Sequence, residues 1–208
     1  STTYQPGALT QTAFYRLKYT NGCTSVNSNE VTVTVRPDLT APSITETVAT
    51  LCFNSTATLT RISDATGGAD DSFTYQWQES SDGVTFADIS GATAASYTTP
   101  SLQSARWYRI VASSVMGCGS VASTATKVDV YPDLTISNST ASPLCYMTSG
   151  SISVTASGAG GSYIYQWQES SDGVSFADIT SANSSSYTIP GKSAGSYYYR
   201  VLVAPTYG

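Results

Sequence analysis

The chain has 208 residues, of which 11% are charged, with 34 Ser, 30 Thr, no His and a net charge of −5. Without His there is no Ser-His-Asp or Cys-His nucleophile machinery and no His-based zinc site, and nine basic against 14 acidic residues make a poor binder of nucleic acid or of an anionic membrane surface. No apolar run approaches the roughly 18 residues that a spanning helix needs, so membrane insertion is not expected.

Taken in chain order, residues 1–38 read as the C-terminal part of a repeat. Tyr4 lies 12 residues before Arg16, as Tyr97 lies 12 before Arg109, and Tyr15, Leu17 and Tyr19 alternate as the apolar row of a strand. Val35-Arg36-Pro37-Asp38-Leu39-Thr40 then returns as Val130-Tyr131-Pro132-Asp133-Leu134-Thr135. Residues 39–133 hold a complete repeat. Alternation and turn signals predict strands near 43–50, 57–63, 72–80, 84–89, 95–100, 105–114 and 123–131. Ser81-Asp82-Gly83 is a hairpin signal, because Gly supplies the positive φ of a tight turn. Residues 134–208 repeat most of this pattern. YQWQESSDGVTFADI at 75–89 becomes YQWQESSDGVSFADI at 165–179, an offset of 90.

The chain is therefore a tandem array with a period of 90–95 residues. About seven strands per repeat, with no capped helical period, predict an all-β chain of tandem immunoglobulin-like β-sandwiches. The third repeat is truncated before its last strand, and the Gly-Cys spacing after Arg16 and Arg109 predicts that Cys follows Gly208 in a longer parent. The linkers 37–39 and 132–134 each contain Pro, and are expected to hold successive repeats in a semi-extended line.

Alternation also assigns faces. Tyr75 and Trp77, their copies Tyr165 and Trp167, and Tyr108, Ile110 and Tyr199 belong to the core side. Gln76, Gln78, Trp107 and Arg109 face outward and form the candidate binding surface. Phe14, Trp107 and Tyr198 hold one outward slot, each two residues before an Arg. A sugar-binding platform is one reading of that slot. The plainer one is cation–π packing of the aromatic over its neighbouring Arg.

Cys145 occupies the slot of Cys52, and Cys23 that of Cys118. The economical reading is one disulfide per repeat: Cys52 with Cys118, and Cys23 and Cys145 with residues outside the sequence. Closing a loop of 66 residues would stabilise by about 4 kcal/mol in the chain-entropy account, and implies an oxidising location outside the cytoplasm. Free thiols are the alternative; a zinc site lacks any CxxC.

Asp64, Asp70 and Asp71 share one loop and are weak calcium candidates. The third repeat has Ser157-Gly158-Ala159-Gly160-Gly161 there, which favours a solvated, variable loop and no cofactor. Asp82 and Asp88 recur as Asp172 and Asp178, which suits turn and strand-edge chemistry better than an acid–base pair. No constellation points to an enzyme.

The composite pattern YQWQ-SxDGxxFxDI, a SYTxP-type strand, [WY]YRxxV and then Gly-Cys resembles the immunoglobulin-like repeats of large cell-surface proteins of Bacteroidota. These include gliding-associated adhesins exported by the type IX secretion system. The resemblance implies a stalk or display segment of a secreted adhesin outside the outer membrane. Its partners would be neighbouring repeats, secretion or surface-anchoring machinery, and surface glycans. The alternative is a carbohydrate-binding tandem module of a secreted polysaccharide-degrading enzyme.

Overall fold

The structure is a computed structural model that describes residues 3–46, 50–68, 72–138 and 143–206. The described residues form strands and no helix. In the first repeat β1 (Ala13–Tyr15) pairs with β4 (Val31–Val33), and β2 (Lys18–Thr20) with β3 (Ser25–Asn27). The second repeat is a two-sheet sandwich. One sheet has the order β10 (Ser96–Thr98), β7 (Thr58–Ser63), β5 (Ser43–Glu46). The other runs β6 (Thr50–Leu51), β13 (Thr126–Val130), β11 (Arg106–Ser114), β8 (Phe73–Ser80), β9 (Ala87–Asp88), with β12 (Ser120–Ala122) also on β11. The third repeat has the sheets β14 (Thr135–Asn138), β15 (Gly150–Ser157), β18 (Ser186–Ile189) and β17 (Ala177–Asp178), β16 (Tyr163–Ser170), β19 (Tyr198–Pro205).

Three expected strands are shorter or split, each for a local reason. The strand expected at 43–50 divides: β5 joins one sheet, while Thr50–Leu51 runs parallel to Asp129–Val130 in the other. The strand expected at 84–89 begins only at Ala87, because Asp82 Oδ1 accepts from the Val84 and Thr85 amides (both 2.8 Å) and takes them out of the ladder. The strand expected at 123–131 breaks at Ser123, whose hydroxyl accepts from the Ile110 N–H (3.1 Å) and so substitutes for a carbonyl.

By its internal contacts the chain divides into two units, Ser1–Thr47 with Thr58–Thr98 and Arg106–Lys127, and Val48–Ala57 with Thr99–Ala105 and Val128–Gly208. The division passes through the second repeat rather than between repeats. In the second unit the Tyr131 N–H donates to Leu51 O (2.9 Å), and the Tyr131 ring lies over Gly160, where a Cβ would approach it to 3.4 Å. Those contacts attach the segment around Leu51 to the third repeat.

The cores of the second and third repeats are each built round an indole. Trp77, Tyr108 and Ile110 are fully buried, and Tyr75 is half-buried. Trp167 is buried, with Tyr165, Tyr187, Tyr199 and Val201 packed against its cluster. The rings of Trp77, Tyr97 and Tyr108 lie against one another in series, with centroids 6.2 and 6.0 Å apart, and those of Trp167, Tyr187 and Tyr199 do so at the same spacings. The indole N–H of Trp77 donates to Ala94 O and that of Trp167 to Ser184 O (both 2.9 Å), so neither buried donor is wasted.

The disulfide expected between Cys52 and Cys118 is corrected: both are exposed free thiols. Cys23 and Cys145, expected to pair with residues outside the sequence, are exposed and have no disulfide partner within it. Cys52 belongs to the unit that includes the third repeat and Cys118 to the other unit, so sharing a repeat in sequence does not make them partners.

The Tyr108 hydroxyl is buried without a hydrogen-bond partner, and burial raises its pKa. Tyr108→Phe should therefore stabilise the chain by about 1 kcal/mol, by removing an unsatisfied donor while keeping the ring. Trp77→Ala should cost about 3–5 kcal/mol. Urea unfolding of both variants checks the contrast in sign.

Candidate functional site

The two linkers are built alike, each onto the loop that follows the second long strand of the next repeat. At the first, Pro37 O accepts from the Gly68 N–H (3.0 Å). At the second, Pro132 O accepts from the Ala159 N–H (2.8 Å). One residue earlier in each loop stands a glycine with positive φ, Gly67 at 94° and Gly158 at 90°. A Cβ on either would collide with the backbone carbonyl of Asp38 or Asp133 respectively. Leu39 packs against Gly68 in the first linker. Thr40 and Thr66 exchange backbone bonds there (2.9 and 3.3 Å), while in the second repeat of the pattern the Thr135 and Ser157 hydroxyls meet at 2.7 Å. Each linker is thus bonded to the repeat it enters, and the short Pro-Asp-Leu run leaves little slack.

The outward face is a second repeated constellation. Gln78 Oε1 accepts from Arg109 Nε (2.7 Å), and Gln78 Nε2 donates to Asp88 Oδ1 (2.7 Å). The copy uses Arg200 (2.6 Å), Gln168 and Asp178 (2.6 Å). Register explains the meeting, since Arg109 and Gln78 are cross-strand partners and Gln78 also faces Asp88. Gln76 stands apart from them: its Nε2 donates to Trp77 O (2.9 Å) and Ile89 O (2.7 Å).

The expected stacking of Arg on its strand neighbour is replaced by another. Arg109 lies over Phe86 at 4.1 Å from the ring centre, and Arg200 over Phe176 at 4.2 Å. Trp107 takes Lys127 instead, at 5.2 Å. Cross-strand pairing carries the guanidinium past β8 to the hairpin, whereas residues two apart on one strand stand side by side. Trp107 also covers the hairpin turn, where a Cβ on Gly83 would come within 3.0 Å of its Nε1; Tyr198 covers Gly173 likewise, at 3.3 Å. The turn therefore needs Gly both for its φ of 75° and for the ring above it.

Asp82 binds no cleft. It accepts from Ser80 Oγ (2.7 Å) as well as from the two amides, and Asp172 does the same with Ser170, Val174 and Ser175. The Ser80 hydroxyl first, then the Thr85 and Val84 amides, hold the Asp82 carboxyl at about 2. Asp64 forms an ion pair with Arg61 (2.9 Å). Asp70 and Asp71 lie outside the described residues, among which no cluster of three metal-ligating side chains occurs.

Sequence reasoning missed Gly67, Gly158, Phe86 and Phe176. A signal was available for the glycines: Ala65-Thr66-Gly67 returns as Ala156-Ser157-Gly158 at an offset of 91, parallel with the repeated linker. Read alone, it looked like an ordinary loop.

Two predictions follow from this geometry. Gly158→Ala should cost about 1–3 kcal/mol in backbone strain and release the Ala159 amide, read as lower denaturant stability with faster hydrogen exchange at that amide. The Asp82 pKa is depressed, so its contribution to the hairpin is complete above the ordinary carboxylate range and is lost as pH falls through about 2. A carboxyl NMR titration should find the Asp82 midpoint near 2, and Asp82→Asn should weaken protection of the Val84 and Thr85 amides at neutral pH.

No curated protein matches the sequence. Among solved structures, the chain is similar to the three N-terminal domains of the bacteriophage RB49 Highly Immunogenic Outer Capsid protein (Hoc), with 19% identity and a TM-score of 0.39 over 78% of this chain and 54% of that one. It spans about half the length of that structure. It is also similar to domains A168–A170 of titin (17% identity, TM-score 0.40, 94% of this chain and 70% of that one). A third similar structure is the fibronectin(III)-like modules of Clostridium thermocellum CbhA (16% identity, TM-score 0.31, 77% of this chain and 85% of that one). By their own topology, the second and third repeats are each built of two β-sheets, and the described residues contain no helix. Three successive stretches, residues 1–37, 41–132 and 134–206, match one family, and the chain belongs to it: "Domain of unknown function (DUF8696)".

Proposed function

We propose that this chain is a spacer and display segment of a long secreted cell-surface adhesin, of the bacterial kind used in gliding or attachment. The observation that carries this reading is the repeated linker latch: Pro37 O on Gly68 N–H and Pro132 O on Ala159 N–H, each beside a positive-φ glycine. A linker that only joined domains would have no need of the same bonds twice. A spacer does need them, because its use depends on each domain being held where the last one left it. The hydroxyl-rich, weakly charged composition suits a surface exposed to solvent at every repeat.

Its partners on this reading are the neighbouring repeats and the machinery that exports and anchors the parent protein at the cell surface. Glycan binding has less support on the outward face. Gln76, Gln78 and Arg109 spend hydrogen bonds on backbone carbonyls, Asp88 and one another, and Trp107 covers its own hairpin.

Amide relaxation on the full chain tests the spacer. Leu39 and Leu134 should show order parameters near those of strand residues, about 0.85, whereas values below about 0.6 would mark free hinges and overturn the reading. Antibodies raised against the chain should label intact cells of the source without permeabilisation; labelling only after lysis would overturn the surface assignment.

A further inference from the structure

The hairpin of β2 and β3 is paired as that of β11 and β12 is. Lys18 faces Asn27 and Thr20 faces Ser25, as Val111 faces Ala122 and Ser113 faces Ser120. The same pairing thus recurs inside the complete second repeat, and the hairpin is set by its own residues. The two connections differ in chemistry. The second repeat joins its strands through Met116-Gly117-Cys118, where the Gly117 N–H donates to Ser114 O (3.2 Å). The first joins them through Asn21-Gly22-Cys23, and there the Gly22 N–H has no acceptor among the described residues.

Asn-Gly is a reactive pair, because the backbone nitrogen after Asn can attack the side-chain carbonyl and Gly puts no side chain in its way. Asn21 is the only one of the six Asn that precedes Gly: Asn27, Asn54, Asn138 and Asn183 precede Ser, and Asn29 precedes Glu. The loop adds to this intrinsic reactivity. Asn21 Oδ1 accepts from the Thr24 N–H (2.9 Å), the Thr24 hydroxyl (3.1 Å) and the Cys23 N–H (3.2 Å). Three donors on one carbonyl oxygen draw electron density from Cγ. They also stabilise the oxyanion that forms when Cγ becomes tetrahedral, as fixed donors do in acyl transfer. Asn21, Gly22, Cys23 and Thr24 are all exposed, so water reaches the site, and a Cβ built on Gly22 would meet nothing within 4 Å.

We propose that Asn21-Gly22 is a self-modification site, at which the chain converts its own Asn21 to aspartate and isoaspartate. The Gly22 nitrogen bonds to Asn21 Cγ and gives its proton to water. The tetrahedral carbon then expels the side-chain nitrogen, which takes a proton from water and leaves as ammonia. A second water opens the resulting succinimide at either carbonyl. Opening at one carbonyl gives aspartate; opening at the other gives isoaspartate, with the backbone routed through the β-carbon. The net change is one water consumed and one ammonia released, with no oxidation. Either product adds a negative charge to a chain of net charge −5, and isoaspartate also lengthens the connection between β2 and β3 by one backbone carbon. The second repeat, with Met116 in the corresponding loop, cannot follow.

Timed peptide mapping of the full chain at neutral pH tests this, reading the gain in mass of water over ammonia and separating the two products by chromatography. Asn21 should be the first Asn to lose its amide. It should do so at least as fast as in a synthetic peptide of residues 17–28, which has the pair without the folded loop. Thr24→Val should slow the folded chain by about two- to tenfold, the worth of one net hydrogen bond, and leave a peptide with the same change unaffected. Thr24→Ser, which keeps the hydroxyl, should retain the native rate. Slower loss in the folded chain than in the peptide would show that the loop protects Asn21, and overturns the proposal. Faster loss at any other Asn overturns it as well, as does a Thr24→Val chain that keeps the native rate.

Discussion

The second and third repeats each depend on one indole that is bonded at three points to the segment crossing from one sheet to the other. The Trp77 backbone N–H donates to Ala92 O, its carbonyl accepts from the Ile89 N–H, and its ring N–H donates to Ala94 O. Trp167 does the same with Ala182, Ile179 and Ser184. Gln76 and Gln166 add a bond to Ile89 O and Ile179 O. A buried Trp must satisfy its N–H, and here that requirement also ties down a connection with little regular structure of its own. With the ring in place, the tyrosines 97 and 108 stack against it in turn, and the two sheets acquire their spacing.

The outward side of the same strands follows from that inward choice. Once Trp77 points in, Gln76 and Gln78 must point out, and cross-strand register brings Arg109 to Gln78 and both to the hairpin that carries Phe86 and Asp88. Gln78, Arg109, Phe86 and Asp88 together brace the hairpin. The linker latch belongs to the same economy of backbone bonding. A Pro carbonyl at a domain boundary has no ladder partner, and a loop N–H beside a glycine supplies one without side-chain obstruction.

Much of this was legible before any coordinates. The near-verbatim repeat of 75–89 at 165–179 revealed the array, and strict alternation placed Tyr75, Trp77, Tyr108 and Ile110 on the inner side because a pleated strand has a period of two. Local chemistry was legible too: Ser81-Asp82-Gly83 announced a turn. The pairing of Cys52 with Cys118 was misread because equivalence between repeats says which residues share a slot, not which slots are near each other. The two share a repeat but fall in different units of the chain. The arginine stacking was misread for a related reason, since its true partner, Phe86, comes from the neighbouring hairpin.

The sequence by itself determined the all-β class, the repeat period and the inward row of each long strand, because these depend on patterns within a few residues or on one segment matching another. Only the tertiary structure decided the fate of the Cys52 and Cys118 thiols, the ring over which Arg109 and Arg200 lie, and the docking of the linkers beside Gly67 and Gly158. Those outcomes depend on which strands lie side by side and in what register. That is set by the packing of whole sheets round Trp77 and Trp167, and no short window of residues contains it.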